Sequence, residues 1–182
     1  MRWPPGILLG LDLGSRTGVA IGRSDDVPRC WSVEFGADFD EHGRLFHALG
    51  SWLRIALRDW GIDGVAFEAT LPFPAYRKLG TSEAAVLVAH GMRAIVEEAC
   101  YGAGIRCEAL PVISIRKHFI GMASAGSREA TKLAVVRRAR SLGFIGPRNH
   151  DDDAADAAAC WDLAAHTLMA RQPKVLAMWG GG

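Results

Sequence analysis

Gly10-Leu-Asp12-Leu-Gly-Ser-Arg-Thr-Gly-Val-Ala-Ile-Gly22 decides the fold of this chain. The run from Gly6 to Leu13 is apolar until Asp12 interrupts it, so it reads as a buried strand. Gly14-Ser15-Arg16 is a turn signal, and residues 17–22 resume as a second strand. Residues 31–35 alternate and read as a third. Strands joined by turns this tight predict an antiparallel meander. Asp12 is the oddity: a lone carboxylate in an apolar strand costs several kcal/mol, as an order of magnitude, or keeps its proton.

Outward from that hairpin the pattern changes period. Leu45, Leu49, Trp52, Leu53, Ala56, Leu57 and Trp60 recur at helical spacing over residues 39–60. Residues 62–69 form a short strand carrying Glu68, and the two prolines in residues 71–75 mark a loop. Residues 81–102 are a long amphipathic helix with Leu87, Val88, Met92, Ile95, Val96 and Ala99 on one face. Gly91 within it permits close approach, so this stripe is a candidate dimer interface or a face packed on the sheet. A strand over 104–110, bounded by Pro111, precedes helices over 128–142 and 152–169. Strands first, then strands alternating with helices, predict an α/β domain with a mixed sheet covered by helices. The 182 residues suit one domain, taken as 1–172, with a flexible tail over 173–182 that holds Pro173 and Gly180-Gly181-Gly182.

Composition narrows the class. An apolar share of 49% against 23% charged is a globular mixture, not a disordered one. No stretch approaches the roughly 20 apolar residues of a membrane span, and the opening residues do not read as a secretory signal. Cys30, Cys100, Cys107 and Cys160 form no C-x-x-C pair and no zinc set, which fits free thiols in a reducing compartment. Trp52, Trp60 and Trp161 sit in apolar patterns as core residues.

Three places put acid where burial is costly. Asp12 is one, Glu68 at the end of Val65-Ala-Phe-Glu68 is the second, and Asp153 with Asp156, three apart on one helix face, is the third. Singly, each has a plain explanation: a turn-former, a partner for Arg77, a helix cap. Asp151 and Asp152 keep the capping explanation. Together, an Asp on a first strand, a Glu on a central strand and Asp-x-x-Asp on a last helix point to a divalent cation, since clustered carboxylates repel and supply the oxygen ligands Mg²⁺ and Mn²⁺ prefer.

These segments resemble the three active-site segments of RuvC-type Holliday-junction resolvases, members of the RNase H-like superfamily: 10–22 as quoted above, Val65-Ala-Phe-Glu68, and Asp153-Ala-Ala-Asp156-Ala-Ala-Ala. Gly126-Ser-Arg-Glu-Ala-Thr-Lys132 is similar to a further segment of that family before the last helix. Leu13 stands where Pro is common there, Ala69 where Gln is common, and residues 120–127 lack a Gly-x-Gly. The resemblance implies a five-stranded mixed sheet flanked by helices, and a homodimeric, Mg²⁺-dependent endonuclease that cuts four-way DNA junctions in the cytoplasm of a bacterial or phage-infected cell. It implies Asp12, Glu68, Asp153 and Asp156 as metal ligands, Lys132 near the scissile phosphate, and Phe73 as a candidate wedge into the junction, with folding back onto the core as its alternative.

Charge is unevenly distributed. Residues 1–105 hold 10 Lys/Arg against 13 Asp/Glu, residues 106–148 hold 9 against 2, and residues 149–182 hold 2 against 5. A +7 block therefore sits between two −3 segments, behind a whole-chain charge of +1. A basic block beside a carboxylate cluster suits a nuclease that grips phosphates, and Arg116, Lys117, Arg128, Lys132, Arg137 and Arg140 are the candidate DNA-binding residues. Three other readings stand beside this one. The Asp12-Leu-Gly-Ser-Arg-Thr-Gly segment also resembles the phosphate segment of sugar kinases and actin-like ATPases, but those need two lobes and the chain has room for one. A non-catalytic DNA-binding or assembly module would not need all four carboxylates. An RNase H-type hybrid cutter or a flap nuclease would.

Overall fold

The chain runs β1 (Ile7–Asp12), β2 (Arg16–Arg23), β3 (Arg29–Glu34), α1 (His42–Asp59), β4 (Ile62–Glu68), α2 (Glu83–Ala103), β5 (Arg106–Leu110), α3 (Val112–Ile120), α4 (Arg128–Ser141) and α5 (Asp152–Thr167). The computed structural model describes residues 6–36, 42–71, 75–76 and 80–169; the tail expected over 173–182 lies outside them. The sheet order is β3-β2-β1-β4-β5. The first three strands are the expected antiparallel meander, and β4 and β5 add in parallel on the other side of β1.

Strand alternation divides the core in two. Leu9, Leu11, Val19, Val65 and Phe67 face α1 and α2, where Leu49, Leu53, Met92 and Val96 close over them. Leu8, Ala20 and Ala66 face the opposite layer, built from Ile115 and Phe119 of α3, Val135 and Ala139 of α4, and the alanine-rich face of α5. The result is a three-layer α/β domain with the mixed sheet in the middle. Trp31, Trp52 and Trp60 meet edge to face on the α1 side, and Trp161 is buried on the α5 side.

Two sequence expectations change here. The apolar stripe of α2 is used inside the chain: Val88, Met92, Val96 and Ala99 are buried, and a Cβ on Gly91 would lie 2.2 Å from the ring of Phe46 on α1. Gly91 thus lets two helices of one chain close together, so this part of the stripe packs within the chain, while Leu87 of the same stripe is 55% exposed. The second change is α3, a helix where none was expected. Val112-Ile-Ser-Ile after Pro111 is β-branched and reads locally as extended chain. Burying Ile115 and Phe119, four apart, in the α5-side core overrides that preference, and Gly121 ends the helix at φ 77°.

Helix α5 fixes the site, and two glycines let it approach. A Cβ on Gly18 would lie 1.9 Å from the Asp153 carbonyl oxygen, and a Cβ on Gly10 would lie 2.6 Å from Cβ of Trp161. With Ala154, Ala157 and Ala158 fully buried, helix backbone and strand backbone nearly touch. Trp161 Nε1 donates to the Leu8 carbonyl at 3.0 Å and pins the helix along β1.

Candidate active site

Parity and register place the acids. Asp12 ends β1 on the same face as Leu8 and Gly10, so it points toward α5. Glu68 ends β4 on the same face as Ala66. Because Leu11 pairs with Phe67 in parallel register, the two acids occupy neighbouring strand ends. The first turns of α5 come down on this end of the sheet at Gly18, which pairs with Asp12. They carry Asp153 and, one turn on, Asp156. All four acids are half-buried.

The electrostatics follow from that crowding. Burial, then Asp156, Glu68 and Asp153, hold the Asp12 carboxyl well above the usual carboxylate range, with Lys132 pulling the other way. Glu68 is pushed up to about 7 by burial and by Asp156, against Arg116. Asp156 is pushed up to about 6 by burial, with Arg116 and Lys132 opposing. Asp153 is raised chiefly by burial as well. The four acids expected from the sequence thus share one electrostatic environment, and Arg116, Lys132 and, at Asp153, Arg16 are the cations that act on it.

Among the described residues, a different trio, Asp151, Asp152 and Asp153, brings three carboxylates within 4.8 Å of one another. Two of these are already engaged. Asp151 caps α5, accepting from the Ala154 amide at 3.1 Å, and also takes Arg16 and Ser32 at 2.7 and 2.6 Å. Asp152 accepts from Lys132, which lowers its own pKa and raises that of the lysine. Asp153 has only a long contact, 3.5 Å to Arg16 Nε. Hydrogen bonding thus engages Asp151 and Asp152 and leaves Asp153 the least committed of the trio. Hard oxygen donors, crowded like charges and desolvation at Asp12 fit a divalent cation.

The basic residues separate into two groups. Arg116 is half-buried beside Glu68 and Asp156, and Lys117, Arg128 and Arg137 are exposed. Lys132 pairs with Asp152, and Arg140 donates to the Asn149 carbonyl at 2.7 Å. Phe73 lies outside the described residues, as does Arg77. Sequence reasoning missed Arg16 and Ser32, whose contacts with α5 span 135 and 119 residues. The run Ser15-Arg16 carried no local signal beyond a turn.

A groove of about 180 Å³ opens onto Asp12 and Glu68 and is walled by Leu13, Ala69, Leu71, Tyr76 and Ala89. Larger hollows, of about 480 and 430 Å³, lie between α1 and α2 and beside Trp31 and Trp60. None of the four acids lines either of them.

The architecture, a five-stranded mixed sheet with α5 laid across β1 and β2, defines an α/β domain of the RNase H-like type. Its particular form is the RuvC fold. Thermus thermophilus RuvC matches with a TM-score of 0.60 at 17% identity, over 88% of this chain and 96% of that one. RuvC of the same organism in complex with a Holliday junction substrate matches with a TM-score of 0.63 at 14% identity, over 88% and 93%. The yeast mitochondrial Holliday junction resolvase Ydc2 matches with a TM-score of 0.58 at 14% identity, over 92% and 82%. No protein-family model and no curated protein sequence matches the chain.

Proposed function

We propose that this protein is a divalent-cation-dependent, structure-selective DNA endonuclease of the RuvC type. Its substrate is branched DNA, with the four-way junction foremost, and it works as a homodimer that nicks two opposed strands in the cytoplasm. The observation that carries this reading is the convergence of Asp12, Glu68, Asp153 and Asp156 at one end of one sheet face, on a fold shared with two resolvases. The chain has no described helix long and apolar enough to cross a membrane.

Asp12, Glu68, Asp153 and Asp156 hold Mg²⁺, with Mn²⁺ as a substitute. When bound, a pair of such ions supplies an activated water and stabilises the leaving oxygen of a phosphodiester. The residues of the chain do the rest. Asp12 and Glu68 present their carboxylates from rigid strand ends, and α5 brings Asp153 and Asp156 down against them. Lys132 and Arg116 limit the negative potential that would otherwise repel a phosphate. Lys117, Arg128 and Arg137 stand exposed to grip the backbone, with Phe73 as the wedge.

The test is cleavage of labelled four-way, three-way, flap, duplex and RNA–DNA hybrid substrates with Mg²⁺, Mn²⁺ or Ca²⁺. Paired nicks in the four-way junction with Mg²⁺ or Mn²⁺ are expected. A preference for the hybrid would move the protein to the RNase H-type alternative, and cleavage without any divalent cation would refute the metal assignment.

A further inference from the structure

Arg16 stands at the start of β2, with its side chain half exposed, yet it makes the densest set of polar contacts near the site. Its Nη2 donates to Asp151 Oδ2 at 2.7 Å and to Ser32 Oγ at 2.7 Å, and its Nε donates to Ser32 Oγ at 3.0 Å. Ser32, across the β2–β3 ladder, donates to the same Asp151 oxygen at 2.6 Å. The other oxygen of Asp151 caps α5 through the Ala154 amide. The Asp151 amide in turn donates to Asn149 Oδ1 at 2.8 Å, and the Asn149 carbonyl accepts from Arg140 of α4. A continuous chain of hydrogen bonds thus runs from the outer strands of the sheet, through the cap of α5, to α4.

That chain ends where register matters most. Asp153 is two residues beyond the cap and 3.5 Å from Arg16 Nε, and its carbonyl lies over Gly18. Asp151 is only 15% exposed at its side chain, so its ion pair is shielded and orders the groups around it. A lone capping Asp would need neither Arg16 nor Ser32, because its Oδ1 alone satisfies the helix amide. The guanidinium fork ties that cap to the sheet and sets where the first turn of α5 stands.

We propose that Arg16, acting through Ser32 and Asp151, is a positioning residue that holds the first turn of α5 in register and so presents Asp153 and Asp156 to Asp12. This rests on the nuclease reading given above. The planar fork hydrogen-bonds Asp151 and Ser32 at once while lying 3.5 Å from Asp153, which a lysine ammonium at the same position would not do.

The test compares Arg16→Gln, Arg16→Lys, Ser32→Ala and the double variant Arg16→Gln/Ser32→Ala with the wild type. Amide hydrogen exchange is read on residues 154–157, and four-way-junction cleavage is read at saturating Mg²⁺. In Arg16→Gln, exchange at those amides is expected to rise about tenfold, and kcat to fall about tenfold with KM for the junction within twofold. Arg16→Lys recovers part of the rate, and the double variant is no slower than Arg16→Gln, because both residues serve one clamp. Unchanged exchange in Arg16→Gln overturns the clamp whatever the rate does. A raised KM with unchanged kcat overturns it too, making Arg16 a DNA contact. If the wild type cuts no branched DNA while exchange in Arg16→Gln still rises, the clamp stands and the nuclease reading falls. Should Arg16→Gln fail to fold, Ser32→Ala decides by the same two readouts.

Discussion

Asp12 shows how a residue can be costly to the fold and necessary to the chemistry. Its carboxyl is desolvated at a strand end and faces three more acids, so its ionised form is strongly disfavoured in the metal-free protein. Replacement by Asn keeps the shape and removes the charge. Asp12→Asn is therefore expected to lower junction cleavage by roughly a thousandfold, about 4 kcal/mol, and to raise the metal-free melting temperature at pH 8 by roughly 3 °C. Cleavage rates and thermal melts check the two halves separately, and loss of both activity and stability would count against the repulsion argument. The same crowding gives a pH signature. Glu68 and Asp156 titrate at about 7 and about 6 in the folded protein, above their unfolded values. A carboxyl raised in this way binds its proton more tightly when folded. It favours the folded state below pH 4, and that stability is lost as pH rises through the folded values. Without divalent cation, stability is expected to fall by on the order of 2 kcal/mol between pH 5 and pH 8, and saturating Mg²⁺ should flatten the profile. Urea melts across that range, with and without Mg²⁺, measure it.

At the scale of elements, the close seating of α5 on the sheet makes the site. Gly18→Ala would place a Cβ 1.9 Å from the Asp153 carbonyl, where helix backbone, not a flexible side-chain end, must give way. The variant is expected to lose about 2 kcal/mol of stability or more and to lose cleavage disproportionately, because the first turn of α5 is displaced from Asp12. Thermal melts together with kcat decide this, and a variant that melts lower but cuts normally would separate helix seating from catalysis. The seating was partly legible. The acids, the meander and the helix carrying Asp153 and Asp156 announce themselves through local pattern: a charge breaking an apolar run, turn residues between strands, an i, i+3 pair. The glycines in 10–22 look like turn and strand residues, and only the packed α5 reveals why two of them must lack a side chain. Arg16 was illegible for the same reason, since the acids it meets, Asp151 and Asp153, lie more than a hundred residues away. Helix α3 was hidden by β-branched residues that prefer extended chain until Ile115 and Phe119 find a core to fill.

For the molecule as a whole, the +1 net charge conceals a division of labour among cations. The block from Arg106 to Arg148 carries +7, but the structure assigns two of its members to internal work: Lys132 to Asp152 and Arg140 to the Asn149 carbonyl. Arg140 in particular is half-buried and ties α4 to the loop before α5, so its contribution is to the fold, while Lys117 and Arg137 point into solvent. A cation that neutralises a phosphate releases a counterion, so removing one such cation reduces the slope of log affinity against log salt by about 0.9 on duplex arms. Lys117→Ala and Arg137→Ala are therefore each expected to weaken four-way-junction binding in Ca²⁺ and to reduce the salt slope by about 1. Arg140→Ala is expected to leave the slope unchanged and to lower the melting temperature, because the Asn149 carbonyl loses a charged donor. Fluorescence anisotropy of a labelled junction over a salt series, paired with thermal melts, sorts the three. A reduced slope in Arg140→Ala would return that residue to the DNA-gripping set and leave the polar tie between α4 and α5 to Lys132 and Asp152.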